Sequence, residues 1–370
     1  MGRSTVTAAP GGFRQRIAGC AAYARVMADR SQYAAEEAVL LRGAVSAALH
    51  APSVLNTQPW RWRLTGSSLE LFRDPSRQLH VLDPDGRLAV LSCGAALHHA
   101  RVSLAAAHRR ALVDRFPDPV IIELLARLSV APEVYTDQRE IAMAHAIKQR
   151  RTDRRLIAYA RYLGKEDIAL LSMAAVSEGV TLHRVTPGQR HLVAMAADRA
   201  QRIENTNGAY GREIAEWTRR RSVGSGVGSA SLVAPVPRPV PLRDLSGGGQ
   251  TGLHPGFGDD DYAEYLIVAT GGDIALDWLR AGEAASAVWL TATVHGLAMS
   301  AISEVVEIPE ARAVLSGLLD QPGHPQLLLR TGLQGHSAPP PASSRRPLGD
   351  VLEEIPVNAP DRANTEPRSA

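Results

Sequence analysis

The run Ala51-Pro-Ser-Val-Leu-Asn-Thr-Gln-Pro-Trp60 holds the most concentrated set of uncharged donors and acceptors in this chain. Ser53, Asn56 and Gln58 stand between two prolines where a helical pattern hands over to a loop, so backbone N–H and C=O groups are also free to meet a ligand. Ligand binding is one use of such a loop, and turn and cap duty is the other. Other motifs are excluded by spacing. Gly224-Ser-Gly-Val-Gly228 follows no strand and lacks the third glycine of G-x-G-x-x-G, so it reads as loop rather than dinucleotide fingerprint. No G-x-x-x-x-G-K-[ST], H-E-x-x-H or G-x-S-x-G occurs, which removes P-loop hydrolysis, zincin proteolysis and the esterase elbow. His98 and His99 are neighbours on a helix and point different ways, and Cys20 and Cys93 match no paired metal-ligand spacing. No metal site is expected.

These residues are carried by 370 residues, enough for two domains or one large one, of which 45% are apolar and 21% charged. The net charge of +3 is almost wholly arginine, since only Lys148 and Lys165 are lysines, and arginine holds phosphate bidentately. No aromatic-interleaved basic stripe is present, so nucleic acid is not an expected partner. The first thirty residues show spaced arginines and no apolar stretch of signal-peptide length. With two cysteines at most forming one bridge, a cytoplasmic protein is expected. Ala284 to Ile302 is free of Asp, Glu, Lys and Arg, but its Ser, Thr and His residues make it a buried core helix rather than a membrane span.

The element pattern divides the chain into an N-terminal extension (1–33), a first half (34–135), a second half (136–350) and a mobile tail (351–370). Helical spacing over Glu36 to His50 ends at Ala51-Pro52, because the residue before a proline avoids the α region. Trp60–Thr65 and Leu69–Arg73 alternate about Gly66-Ser67-Ser68 as a hairpin. A long alanine-rich helix runs from Gly86 to about His108, followed by a strand at Ala111–Arg115 and a helix near Val120 to Leu128. In the second half helices are expected up to Arg150, over Glu166–Glu178, over Pro187 to about Arg221 and over Ala275–Gly296, with strands at Val180–Val185, Glu264–Thr270 and Gln326–Thr331. Ser222 to Asp261 breaks every pattern with glycines and prolines and reads as a lid or disordered insert. One internal echo is visible: Cys93-Gly-Ala-Ala-Leu…Ala105-Ala-Ala-His108 resembles Ala281-Gly-Glu-Ala-Ala…Ala292-Thr-Val-His295 with a one-residue gap.

The segment from Ser53 to Trp60 resembles the S-x-x-N-x-Q-P-W signature of the nitroreductase family of flavin enzymes. Arg150-Arg-Thr-Asp-Arg154 is similar to the family's R-R-[ST]-x-[RK] run, and Ser344-Arg345-Arg346-Pro347 to its basic pair after the last core strand. In ordinary members the arginine run precedes the loop and the two meet across a homodimer; here the loop comes first. That order, with Asp74-Pro-Ser-Arg77, Asp83-Pro-Asp-Gly-Arg87 and Ser92 to His99, resembles the Acg-type branch, in which one chain mimics the dimer. The resemblance covers roughly residues 35 to 350. It implies an α+β nitroreductase-like fold: central mixed or antiparallel sheets flanked by helices, in tandem pseudo-dimeric halves.

The resemblance further implies FMN. Pro52, Ser53, Val54 and Asn56 would meet its pyrimidine edge, and Arg150, Arg151 and Thr152 its phosphate or ribityl side. Arg154 would lie near flavin N1 and O2, where a fixed guanidinium stabilises the charge of the reduced ring. Ile302 and Ser303 map to the backbone near N5, and Arg345 and Arg346 would close on the phosphate. No side-chain acid or base is required. The insert 222–261 would be the lid; for Trp217, Phe257, Tyr262 and Tyr265 at its ends there are two readings, structural packing and a cover over the isoalloxazine. Two activities follow. One is an NAD(P)H-dependent reductase of nitroaromatic or quinone-type acceptors, slowed by the lid; the other is FMN sequestration with an occluded flavin. A flavin-free interaction protein is the third class. Either a monomer mimicking a dimer or a homodimer is expected.

Overall fold

A computed structural model describes residues 33–133, 136–157, 161–219, 224–335 and 338–356. Apart from Tyr33, the N-terminal extension lies outside the described residues, as does Cys20. A helix over residues 33–48 (α1) leads into the proline-bounded loop. The hairpin follows as β1 (Trp60–Thr65) and β2 (Ser68–Arg73), in register from Trp60 opposite Arg73 to Thr65 opposite Ser68. Alternation in β1 sends Trp60 and Trp62 into the core and Arg61 and Thr65 outward. Helix α2 (Arg87–Ala106) begins where the Asp83 carboxylate accepts from the N–H groups of Leu88 and Ala89.

Strands β3 (Arg109–Arg115) and β4 (Leu124–Glu133) complete the sequence of the first half. Helices α3 (Gln138–Gln149) and α4 (Lys165–Val176), strand β5 (Thr181–Arg184), helices α5 (Arg190–Thr206) and α6 (Gly208–Arg219), and strand β6 (Glu264–Thr270) come next. The chain then runs through α7 (Ala275–Val294), β7 (Leu297–Ile302), the short helices α8 (Glu304–Glu307) and α9 (Pro309–Ser316), β8 (His324–Leu333) and β9 (Leu352–Ile355). One sheet has the order β3-β4-β2-β1-β9 and is antiparallel except for β9, which is parallel to β1; the other, β5-β6-β8-β7, is antiparallel throughout. The fold is thus α+β, a mixed and an antiparallel sheet flanked by helices.

Four local expectations are corrected. Val120 to Leu128 is not a helix: Val120–Ile122 form an exposed turn, and β4 from Leu124 fills the place between β2 and β3. Its apolar residues fit a helical period as well as a strand, and a sheet position awaiting a partner decided between them. The helix from Pro187 to Arg221 is interrupted at Asn207, whose extended backbone precedes Gly208. The apolar stretch Ala284–Ile302 is helix and then strand, divided at Gly296, which takes a positive φ of 67°. The tail is not mobile from Val351: Leu352–Ile355 pairs with β1, and Glu354 accepts two bonds from Arg42 of α1, while residues 357–370 lie outside the described set.

Helices α2 and α7 lie at the centre, between the two sheets, and they touch backbone to backbone. A Cβ on Gly94 would stand 2.0 Å from Leu279 O, and one on Gly282 would stand 1.9 Å from Leu91 O. The contact is reciprocal. Gly94 and Gly282 are the glycines of the internal echo, and Leu91 and Leu279 each lie three residues before one of them. Such an exchange of identical contacts is what a two-fold axis produces at its centre. Helix α2 is long and apolar enough to cross a membrane, but 83% of its apolar window is buried within this core.

The crossing leaves no room for a methyl group between rigid backbones. Gly94→Ala should therefore destabilise the protein by about 3 kcal/mol in urea unfolding, and a loss below about 1 kcal/mol would show that the helices can separate.

Candidate active site

A cavity with about 890 Å³ of empty space, counted out to its mouth, opens beside this crossing. One wall is Pro52, Ser53, Val54 and Leu55; a second is Leu88, Leu91, Ser92 and Ala95 of α2; a third is Ala285 and Trp289 of α7. Thr152, Arg154, Ala301, Ser303 and Glu304 add polar groups, and Leu242, Arg243 and Leu245 close it from the insert.

The loop is held in an unusual shape. Leu55, Asn56 and Gln58 have φ values of 43°, 54° and 50°, a region sparsely used by residues with a Cβ. Side chains over-determine it. Ser53 Oγ accepts from Gln58 N at 3.0 Å, and Ser92 Oγ accepts from Val54 N at 3.2 Å. Asn56 Nδ2 donates to Gly226 O (2.9 Å) and Ser344 O (3.1 Å), while its Oδ1 accepts from Arg345 Nη1 (3.0 Å). Gln58, fully buried, donates from Nε2 to Gly224 O (2.6 Å) and accepts at Oε1 from Arg346 N (3.0 Å). Two carboxamides thereby tie the loop to the start of the insert and to the chain after β8. Gln58 has this role without having been assigned one from the sequence.

The arginine run is positioned by Arg330, a fully buried side chain of β8. Its guanidinium donates to Arg155 O (2.7 Å) and Asp153 O (3.3 Å) and pairs with Asp260 at the end of the insert. Asp153 N donates to Met299 O of β7 at 2.9 Å, and Asp153 is bidentate with Arg155. The run is extended between these ties, so Thr152 and Arg154 turn toward the cavity. Arg154 is surrounded by protein yet faces the empty space, and its guanidinium makes no hydrogen bond to the described residues. Burial lowers its pKa, with Glu304 pulling in the opposite direction.

Next to Pro52 and Thr152 lies a cluster of cations with no counter-charge among the described residues. Arg150 Nη2 reaches His50 O at 3.4 Å, and Arg345 Nη2 reaches the same oxygen at 3.2 Å. Arg150 stacks over the Trp289 ring, 5.0 Å from its centroid. Its Nε and Nη1 are buried with no partner, as is Arg345 Nε. Burial pushes the Arg150 pKa down to about 9, and the charges that add to this, Arg345 and Arg151, are cationic. Burial and Arg151 lower Arg345 to about 10, and burial with Arg345, Lys148, Arg150 and Arg151 lowers His50. Buried donors are rarely left unpaired, so this arrangement fits an anion with several acceptor oxygens.

Of the residues expected at the site, Pro52, Ser53, Val54, Thr152, Arg154 and Ser303 line the cavity, and Arg150 and Arg345 form the cation cluster beside it. Four have other contacts. Asn56 is committed to Gly226, Ser344 and Arg345. Arg151 bonds Pro340 O, Lys148 O and Arg150 O and borders a different pocket. Ile302 belongs to the core, because strand alternation turns Ala301 and Ser303 toward the cavity and Ile302 away. Arg346 reaches Gln58 O, Trp60 O and Asp350 O. Of the two readings of the aromatics near the insert, the cover is not found. Phe257 is 81% exposed, Trp217 lies under Arg77, Tyr262 rests on Tyr162 and Tyr265 is buried in β6; none lines the cavity. Trp289 does, and it was hidden in an apolar helix.

On the internal echo Glu283 stands where Ala95 does, and Arg101 where Trp289 does. Glu283 is fully buried and accepts from Arg101 (2.8 Å) and twice from Arg115 (2.8 Å each), and Arg101 also bonds Glu178 (2.6 Å). The place related to the cavity by the echo therefore carries buried ion pairs where the cavity has Ala95 and Trp289. Among the described residues no group of His, Cys, Asp and Glu could hold a metal ion.

No family model matches the sequence. A protein of Mycobacterium tuberculosis provisionally named an NAD(P)H nitroreductase is 42% identical over 321 residues, spanning 86% of this chain and 92% of its own. The protein of the same organism provisionally named NAD(P)H nitroreductase Acg is 34% identical over 317 residues, spanning 85% and 95%. A nitroreductase with bound FMN from Bacteroides fragilis aligns in three dimensions over 57% of this chain and 96% of its own, with a TM-score of 0.34 and 13% identity.

Gln58→Ala removes a buried group bonded to two distant segments and leaves their partners unsatisfied. It should cost about 2 to 4 kcal/mol and expose residues 224–261 to limited proteolysis. Cleavage at the parent rate would mean that other anchors hold the insert.

Proposed function

The chain belongs to the nitroreductase family, in the branch that includes Acg, and on that premise we propose that it holds one FMN in this cavity and reduces nitroaromatic or quinone-type acceptors with electrons from NAD(P)H. The observation that carries this reading is the set of unpartnered donors on Arg150 and Arg345, which suits a phosphate dianion at the edge of a cavity of cofactor type. Ser53 and the Val54 side chain would border the pyrimidine edge, Thr152 the ribityl chain and Trp289 the phosphate end. Arg154, whose guanidinium makes no hydrogen bond to the described residues, would face the N1–O2 edge. The bound flavin supplies two-electron chemistry, and the protein supplies position and electrostatics. Arg154 is the residue that would stabilise the charge of the reduced ring.

The reciprocal Gly94 and Gly282 contact and the order of loop and arginine run support the reading that the two halves stand in for the two subunits of a dimer. The Arg101, Glu283 and Arg115 ion pairs would then be what closes the second site, leaving one flavin per chain, in a monomer or in a dimer formed by other surfaces. The insert supports a second activity. Leu242, Arg243 and Leu245 form part of the cavity wall, so the segment would act as a lid, and a lid that stays shut makes the protein a store for FMN rather than a catalyst. A cytoplasmic location accords with either.

Protein as purified, or mixed with flavin, should bind one FMN and favour it over riboflavin by about tenfold or more; Arg150→Ala should remove that preference. Binding both flavins equally in the parent would reject the phosphate assignment, and no uptake would reject the flavin. Arg154→Ala should lower the flavin reduction potential, and an unchanged potential would place this guanidinium elsewhere. Anaerobic mixing separates the two activities: bleaching by NADPH or NADH identifies a reductase, and bleaching by dithionite alone identifies a store.

A further inference from the structure

A second cavity, with about 820 Å³ of empty space counted out to its mouth, lies on the other side of the insert. Its walls are Gln201, Glu204 and Asn205 of α5, Tyr210, Ile214, Ala215 and Thr218 of α6, and residues 243–247. Arg243 and Leu245 line both cavities, so the partition between them is one chain thick.

That stretch is anchored unlike the rest of the insert. At its start the insert is bonded to Asn56, Gln58 and Trp217, in the middle it is bridged at Val233 and Leu253, and at its end Asp260 binds Arg330, Arg238 and Ile157 N. Between Pro241 and Gly249, every hydrogen bond to a distant segment among the described residues runs through Arg243. Its N–H donates to Glu304 Oε1 (2.9 Å), Nε and Nη2 donate to Glu204 (3.0 and 2.6 Å), and Nη1 and Nη2 donate to Glu307. Leu242, Asp244 and Gly247 offer the partition no such tie. The bonds that Ser246, Gly248 and Gly249 make are local turns.

We propose that residues 241–249 are a gate, latched by Arg243, through which the outer cavity passes uncharged small molecules to the inner one. The charge of the lining selects them: Glu204 and Asp244 face the outer cavity, and its one cation among the lining residues, Arg243, is already paired with two carboxylates, Glu204 and Glu307. Anions find no free counter-charge there. This deepens the reading of the inner cavity as the redox site, for which the gate would admit the acceptor, but the gate itself is testable without any flavin.

A thiol placed on the inner wall by Ala285→Cys reports passage, and native Cys93, fully buried in the core, reports the integrity of the fold. Rates of modification by N-ethylmaleimide, which is uncharged, and by iodoacetate, which is anionic, are each referred to a free thiol and compared at equal flavin content. Adding Arg243→Met should raise maleimide labelling at position 285 by about tenfold or more, the effect of losing charge-assisted bonds on an opening equilibrium, with Cys93 still protected. Iodoacetate should gain less, and Ala215→Trp, which fills the outer cavity, should slow the maleimide. Equal gains for both reagents would overturn the charge selection, and indifference to Ala215→Trp would overturn the route. No acceleration, with Cys93 protected, would overturn the latch. Where Arg243→Met exposes Cys93, Glu204→Gln with Glu307→Gln decides; if Cys93 reacts there too, the contact supports the fold and the gate is rejected. Flavin absorbance of the same samples reports on the redox reading separately.

Discussion

The contact of Gly94 with Gly282 is the constraint on which the architecture rests. With no side chain on either residue, two long apolar helices approach until the backbone of one meets the carbonyls of the other. Each helix packs on a different sheet, so this contact also joins the two sheets into one body. The cavity lies beside that contact, where small residues line the two helices: Ser92 and Ala95 on one, Ala285 on the other. At the echo-related place Arg101 and Glu283 put buried charge instead.

A second layer of organisation is polar. The cavity walls come from several distant stretches of chain, and buried polar side chains hold them together. Asn56 and Gln58 bind two segments each; Arg330 holds the arginine run and the end of the insert; Arg243 holds the middle of the insert against α5 and α8. Such groups stabilise only when their donors and acceptors are satisfied, which gives each a specific position. Arg150, Arg345 and Arg154 depart from this rule. Arg154 faces the cavity with no hydrogen bond from its guanidinium to the described residues, and beside the cavity Arg150 keeps Nε and Nη1, and Arg345 its Nε, without a partner.

Much of the fold was legible because its cues are local. Pro52 and Pro59 bound the loop, alternation exposes β1 and β2, Asp83 and Gly86 mark the start of α2, and glycines and prolines mark the insert. The errors fall where a local pattern admits two outcomes. Val120 to Leu128 suits a helix or a strand, and the vacancy beside β2 chose the strand. The tail from Val351 is polar, yet the edge of β1 offers unpaired backbone groups, and pairing with them outweighs the residues' own preference. The insert has almost no regular structure, as its composition indicates, but it buries Val227, Leu232, Val240 and Leu245 and is far from disordered.

At the site, side-chain identity and orientation separate in the same way. The residue types and their spacing along Ser53 to Trp60 and Arg150 to Arg154 determine the family and the chemistry that these side chains can offer, because donors, acceptors and charges belong to the residues themselves. Which of them face the cavity was decided by tertiary structure alone. Asn56 and Gln58 have amides as fit for a ligand as for a backbone, and the insert reached them first. Arg150 and Arg151 are adjacent and identical, yet one is stranded among cations beside Trp289 and the other is spent on carbonyls, because an extended chain turns neighbours to opposite sides. Trp289 and Arg243 reached the cavity from an apolar helix and a loop whose local sequence signals only burial and irregularity.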